Sequence, residues 1–242
     1  MVRLLLGGFI LSTAMAKSGA HLRVAVTMIN LFGGQSSKKL VYGFMAAAAI
    51  LSMWISNTAT TLMLLPVALA TIERSEDKKL AAPLLLGIAY AASIGGIGTP
   101  IGTPPNMVFM GVYTEVTGSA ISFGQWMMWA VPVVLVLLPI AGFWITRGVS
   151  KRGGVALPSS GEWTLAERRV LTVFSVTALL WMTRKGPWGG WSEWFSLPNA
   201  NDAMVAFLAV VALFVIPSGN ANDKGESERL LDWETAERIP WG

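Results

Sequence analysis

The sequence lacks cysteine altogether, contains a single histidine and has few charged residues. Without cysteine there are no disulfides, thiolate nucleophiles or cysteine metal sites. One histidine leaves few candidates for acid–base or metal catalysis. The sequence also lacks a phosphate-binding P-loop, a His-Glu-x-x-His zinc motif and a Gly-x-Ser-x-Gly nucleophile elbow. These absences predict that the protein is not an enzyme.

Charge is scarce because apolar residues dominate the composition. Of 242 residues, 53% are hydrophobic and 13% are charged, well below the roughly 25% of charged residues in soluble domains. The net charge is only +4, and the basic residues lie in short loops between apolar runs. That pattern sets membrane topology and does not indicate nucleic-acid binding. The composition therefore predicts an all-α, polytopic protein embedded in a lipid bilayer.

The apolar run at residues 40–72 is too long for one simple span. As a straight helix it would measure roughly 50 Å, whereas the hydrocarbon core of a bilayer is about 30 Å thick. Basic residues flank both of its ends: Lys38, Lys39, Arg74, Lys78 and Lys79. A polar stretch, residues 56–61, interrupts its middle. We therefore expect a re-entrant hairpin whose polar tip is buried in protein or lines a watery cavity.

Residues 80–113 predict a second interrupted segment. The stretch 94–106 holds four glycines and three prolines, which cannot continue an α-helix because proline removes a donor and glycine weakens helices. Apolar sequence resumes at Met107, so we expect one transmembrane helix that is broken in its middle. The next apolar run, Phe123–Ile145, is the clearest full span.

Breaking a membrane helix exposes groups that suit ions. New N-terminal ends carry free N–H groups that favour anions, and new carbonyl ends favour cations. Neutral hydroxyls and amides accompany the two breaks: Ser52, Ser56, Asn57, Thr58, Thr103 and Asn106. We expect them to hold a small anion with a small metal cation beside it. The structural alternative is hydroxyls bonded to their own backbone and simple kinks, but two breaks close in sequence favour a site.

These residues carry a family resemblance. Ser56-Asn57-Thr58-Ala59-Thr60-Thr61 resembles the first Ser-Asn-Thr signature of the divalent anion/sodium symporter family, which lies at the tip of a re-entrant hairpin. Residues 94–106 resemble the loop within the broken helix that follows it. The resemblance extends over the whole chain, and residues 231–242 resemble the lead-in to a second hairpin. The family includes bacterial and animal di- and tricarboxylate transporters.

The resemblance implies two sets of site residues. Positions matching the sodium ligands of the family are Ser52, Ser56, Asn57 and Gly102. Positions matching those that contact or border the substrate carboxylate are Ser56, Asn57, Thr58, Thr103 and Pro104. It further implies a homodimer in which a transport domain moves past a fixed scaffold.

The resemblance also implies a domain organisation. The expected parts are scaffold-type helices at 1–39, a transport-domain part at 40–146 (hairpin 40–72, broken helix 80–113, span 123–145), a linker at 147–163 and the start of a second repeat at 164–242. Within the last part, Thr164 and Glu167 predict a helix capping box, and residues 230–239 predict an amphipathic interfacial helix. A cleaved signal peptide would resemble residues 1–20 in composition, but the apolar sequence that resumes at once favours a membrane helix.

The sequence departs from the family in one respect. Ser-Asn-Thr occurs once, and the chain stops at Gly242 without a polar tail. We therefore expect a truncated chain that resembles half of an inverted-repeat transporter and does not transport by itself.

The resulting hypothesis concerns the full-length protein: a sodium-coupled symporter of C4-dicarboxylates (succinate, malate or fumarate) in the cell (inner) membrane. One alternative is a sodium-independent dicarboxylate exchanger of the same fold. The other is a membrane fragment or assembly subunit that only packs against other helices.

Overall fold

Helices make up most of the regular structure in the computed structural model, which describes residues 2–33, 36–150, 162–185, 190–221 and 227–237. The helices are α1 (Val2–Ser18), α2 (Ala20–Gly33), α3 (Ser37–Ser52), α4 (Asn57–Arg74), α5 (Ala81–Gly96), α6 (Pro104–Thr117), α7 (Phe123–Ile145), α8 (Leu165–Thr183), α9 (Trp191–Trp194), α10 (Asp202–Val215) and α11 (Trp233–Ala236). Two short antiparallel strands, β1 (Pro217–Ala221) and β2 (Ser227–Arg229), lie between α10 and α11. The all-α expectation is confirmed.

Helix α7 is the clearest candidate for a membrane span. Among the helices of the described residues, it alone is both long and apolar enough to cross a bilayer. Pro132 and Pro139 lie inside it without ending it, as membrane helices tolerate. Helices α5 and α10 are apolar but shorter.

Contacts divide the chain into two units, one of which contains residues 21–103 and 129–161. Its centre is the packing of α3 against α5. A Cβ atom added at Gly95 would overlap the backbone of Ala49, so the two helix backbones touch at this point. Small residues permit such close approach between helices. Its large, fully buried side chains include Leu40, Val41, Phe44, Met45, Leu64, Leu80 and Leu84.

The other unit contains residues 1–20, 104–128 and 162–242. Helix α1 packs on α10, where a Cβ at Gly7 would meet the Cβ of Ala206 at 2.5 Å. Helix α8 opens with the expected capping box: the backbone N–H of Glu167 donates to Thr164 Oγ1 at 3.2 Å, and that of Thr164 donates to Glu167 Oε2 at 2.7 Å. The capping-box prediction is confirmed.

Two boundary predictions are wrong in detail. The break predicted over 94–106 is shorter, because α5 continues through Gly96 and α6 begins at Pro104, where a first-turn proline needs no N–H partner. The helix predicted over 230–239 begins only at Trp233, since Asp232 is its N-cap and the preceding Ser227–Arg229 pairs as a strand. Residues 238–242 lie outside the described residues.

The predicted division into scaffold, transport part, linker and second repeat stays a prediction. Residues 151–161, most of the predicted linker, lie outside the described residues.

Candidate functional site

The polar stretch after α3 interrupts the helix as the sequence predicts. Helix α3 ends at Ser52, and α4 begins at Asn57 with Ser56 as its N-cap. The Ser56 hydroxyl accepts the backbone N–H of Ala59 at 3.2 Å, and the Ser56 carbonyl accepts that of Thr60 at 2.9 Å. Ser56 is thus an N-cap whose side-chain oxygen accepts a backbone N–H of the first turn. The placement of this break at membrane depth stays a prediction.

Asn57 is held by contacts on two sides. Ser52 Oγ donates to Asn57 Oδ1 at 2.5 Å, and Ser52 is completely buried. The last residue of α5, Gly96, lies so close that an added Cβ would be 2.5 Å from Asn57 Oδ1. The amide oxygen of Asn57 is therefore fixed beside the end of α5.

The second break folds against the first. Gly102 lies against two backbone carbonyls, since an added Cβ would be 2.5 Å from Gly96 O and 3.0 Å from Ser52 O. The buried Thr99 donates its hydroxyl to the carbonyl of Met53. The two interruptions are thereby joined by a side-chain hydrogen bond and by backbone contact.

The structure brings together three of the four residues predicted to bind sodium. Ser52, Asn57 and Gly102 lie together, with Gly96 completing the cluster. The fourth, Ser56, uses its hydroxyl to cap α4, where it accepts the backbone N–H of Ala59. The cluster offers a hydroxyl, an amide oxygen and two carbonyl oxygens, which are the hard oxygen donors that small hard cations prefer. The donor set fits an alkali cation, and the assignment stays a prediction.

The residues predicted to bind the carboxylate are not brought together as closely as the predicted sodium ligands. Asn57 and Thr58 form the first turn of α4, where free backbone N–H groups favour an anion, and Thr58 is exposed. Thr103 is half-buried at the end of the second break, and the exposed Pro104 begins α6. The substrate assignment also stays a prediction.

Sequence reasoning gave no role to three residues of the two interrupted stretches that the structure singles out. Gly96 and Thr99 were visible only as members of a glycine- and proline-rich stretch, without a role of their own. Thr60 belongs to the Ser-Asn-Thr-Ala-Thr-Thr motif, but nothing in the pattern distinguishes its hydroxyl from that of Thr61. The structure does distinguish them, because Thr61 donates to the Asn57 carbonyl and Thr60 is completely buried.

The site has no charged side chain of its own. Residues 40–72 and 94–106 contain no Lys, Arg, Asp or Glu. Any ion held at these stretches would therefore interact with helix ends, carbonyls, hydroxyls and amides. Interrupted helices with such groups at their ends are the construction found in secondary transporters.

Comparison with known proteins identifies the family. The citrate transporter family matches residues 1–242, and the chain belongs to it. The members of this family are transporters and not enzymes. The chain is also 38% identical, over 265 aligned positions, to proteins named sodium-dependent dicarboxylate transporter SdcS from Staphylococcus aureus strains MSSA476, MW2 and NCTC 8325. These alignments cover 100% of this chain and 49% of each relative, so the chain spans about half the length of the curated relatives it matches. The resemblance noted in the sequence is confirmed.

Proposed function

We propose that the full-length protein is a sodium-coupled symporter of C4-dicarboxylates such as succinate, malate and fumarate. The observation that carries this proposal is the cluster of Ser52, Asn57, Gly96 and Gly102 at the meeting of two helix breaks. The relatives named as sodium-dependent dicarboxylate transporters support the choice of ion and substrate.

Sodium is proposed to bind among the neutral oxygens of the cluster. Ser52 Oγ and Asn57 Oδ1 are hydrogen-bonded to each other at 2.5 Å, so both oxygens lie at the same place beside the two breaks. A cation between the oxygens of Ser52, Asn57 and the neighbouring carbonyls would hold the tip of the hairpin in one geometry. Binding of the ion would thereby prepare Asn57 and Thr58 for the substrate, which is the basis of coupling.

One carboxylate of the substrate is proposed to bind at the first turn of α4. The amide of Asn57 and the hydroxyl of Thr58 supply donors beside free backbone N–H groups. Thr103 and Pro104 would border the same carboxylate from the second break. The hydrogen bond from Thr99 to Met53 joins the two breaks, which would therefore move together in an elevator-type transport step.

Asn57→Ala in the full-length protein is expected to abolish sodium-dependent succinate uptake into proteoliposomes. The change removes the oxygen that Ser52 contacts and the amide proposed to meet the carboxylate. Asn201→Ala is the matched control, because Asn201 caps α10 through Met204 N and lies outside the cluster. Uptake by Asn57→Ala at the wild-type rate, with sodium dependence intact, would refute the site.

A sodium-independent exchanger of the same fold is the second candidate function. The description of the family as citrate transporters makes citrate a necessary test substrate beside succinate. Counterflow of labelled succinate and citrate, measured with sodium and with choline in its place, separates the two mechanisms. Counterflow that is equal in choline would favour the exchanger, whereas retention of Ser52 and Asn57 supports the symporter.

The proposal includes a homodimer in the cell (inner) membrane. A third reading, a membrane piece that only packs against other helices, predicts that no sodium or substrate binds to the full-length protein.

A further inference from the structure

Thr60 has a side chain that nothing in the described residues accounts for. It is completely buried, and its hydroxyl has no hydrogen-bond partner in the described part of the chain. A buried hydroxyl without a hydrogen-bond partner costs free energy, and native proteins rarely contain one. An ion or a water at that oxygen is the usual explanation.

Other buried threonines in this chain behave differently. Thr71 and Thr177, inside helices, and Thr146, directly after α7, each donate to the carbonyl four residues earlier, all at 2.7 Å. This back-bonding satisfies a hydroxyl inside a helix without any outside partner. Thr60 does not use it, although it lies four residues after Ser56.

The position of Thr60 connects it to the ion cluster. It lies three residues after Asn57 in the first turn of α4, and residues at that spacing are neighbours on a helix surface. Thr60 also begins the buried stripe of α4, which continues through Leu64, Ala68 and Thr71. Helix α4 packs on α5, and the amide of Asn57 contacts the last residue of α5.

We infer that Thr60 Oγ1 is a further oxygen ligand of the sodium site formed by Ser52, Asn57, Gly96 and Gly102. This inference rests on the proposed function. A hydroxyl oxygen that accepts no hydrogen bond from the described residues is a hard donor suited to an alkali cation. Asn57, three residues earlier on α4, contacts the end of α5, so an ion bound by both Thr60 and Asn57 would link the hairpin to the broken helix.

The test compares Thr60→Val, which keeps the shape and removes the hydroxyl, with Thr60→Ser, which keeps the hydroxyl. Thr71→Val is the matched control, because it removes a buried threonine hydroxyl from the same helix at a site with its own partner. Thr60→Ala serves as a second hydroxyl-free variant if Thr60→Val folds poorly. All are made in the full-length protein.

Two measurements are used. The first is the sodium-induced rise in Tm of detergent-purified protein without substrate, with choline as the reference cation. The second is the sodium concentration that half-saturates succinate uptake into proteoliposomes. Thr60→Val and Thr60→Ala are expected to raise the half-saturating sodium concentration about tenfold or more and to reduce the Tm rise. Thr60→Ser and Thr71→Val are expected to respond to sodium as the wild type does.

A wild-type sodium response in Thr60→Val would overturn the inference and leave the proposed function standing. The inference would also be overturned if Thr60→Val were more stable than the wild type by the same amount with and without sodium. Removal of a hydroxyl that is unpaired and binds no ion would give that result. A water bound at Thr60 in place of the ion gives that outcome as well. A wild-type protein without any sodium response would overturn both the inference and the proposed function.

Discussion

At the scale of the residue, the candidate site depends on where side chains are missing as much as on where they are present. Asn57 Oδ1 occupies space that a side chain at position 96 would fill, at 2.5 Å from the added Cβ. Gly102 likewise leaves room for the carbonyls of Ser52 and Gly96. Glycine has no Cβ, so it allows backbone and ligand groups to approach closely.

Gly96→Ala is expected to raise the half-saturating sodium concentration for uptake by about tenfold, because the new methyl group displaces the amide of Asn57. Gly148→Ala is the control, since a Cβ at Gly148 meets nothing within 4 Å. Sodium-dependent uptake by the full-length variants is the measurement. Equal sodium dependence in the two variants would contradict the proposed contact.

Part of the candidate site could be predicted from the sequence. The family resemblance of the Ser-Asn-Thr motif and of the glycine- and proline-rich stretch implied Ser52, Asn57 and Gly102, and the structure places these three together. The unsatisfied hydroxyl of Thr60 could not be predicted, because it depends on which neighbours reach that atom in three dimensions. The bond from Thr99 to Met53 crosses 46 residues and leaves no periodic signal.

At the scale of the element, composition predicted which segments are interrupted but not where each helix ends. Helix α5 continues through Gly95 and Gly96, since close packing on α3 stabilises glycines that would weaken an isolated helix. The helix expected from residue 230 starts later, because pairing of Ser227–Arg229 with β1 fixes the chain before it as a strand. Tertiary contacts therefore determine both where α5 ends and where α11 begins.

The start of α7 is held by a buried ion pair. Arg184 donates from Nε to Asp202 Oδ1 at 2.5 Å and from Nη2 to Oδ2 at 3.1 Å. Asp202 Oδ2 also accepts the backbone N–H of Phe123, the first residue of α7, at 3.3 Å. Trp181 Nε1 donates to the Asp202 carbonyl at 2.9 Å, and its ring stacks on that of Phe123. One carboxylate thus connects α7, α8 and α10.

Asp202→Ala is expected to destabilise the protein by about 3–5 kcal/mol, because Arg184 would remain buried without its partner. Unfolding in detergent is the measurement, with the exposed Glu193→Ala as the control. The double variant Arg184→Met/Asp202→Leu should recover much of the loss, since it leaves no unpaired charge. A single variant within about 0.5 kcal/mol of the wild type would show that the pair contributes little.

At the scale of the whole molecule, each unit is assembled from segments that are far apart in sequence. In the unit that contains both chain ends, Lys17 in the last turn of α1 forms an ion pair with Asp232, the N-cap of α11. The hydrogen bond from Lys17 lowers the pKa of Asp232 from 3.8 to about 2, and the backbone N–H of Thr235 acts in the same direction. No sequence pattern predicts a contact across 215 residues.

A lowered carboxyl pKa stabilises the folded state above the unfolded value of 3.8, and the gain is lost as the pH falls toward 2. Lys17→Gln is therefore expected to lower Tm at pH 6 and to have little effect near pH 2. The difference should be small, below about 1 kcal/mol, since the Asp232 side chain is 47% exposed. Lys39→Gln, at an exposed lysine, is the control. A Tm difference that is the same at both pH values would exclude the ion pair as its source.

The lack of fixed charge in the two breaks bears on how a carrier could obey strict coupling. A substrate carboxylate entering this half of the site alone would bring a negative charge to a place where only dipoles could stabilise it, and burying an unpaired charge is strongly unfavourable. Sodium entering alone would be an unpaired positive charge, whose burial is equally unfavourable. One sodium ion and one carboxylate arriving together would neutralise each other, and the two breaks, which contain no charged side chain, could return across the bilayer without cargo. Electroneutrality of the cargo, rather than a gate, would then be what forbids leakage.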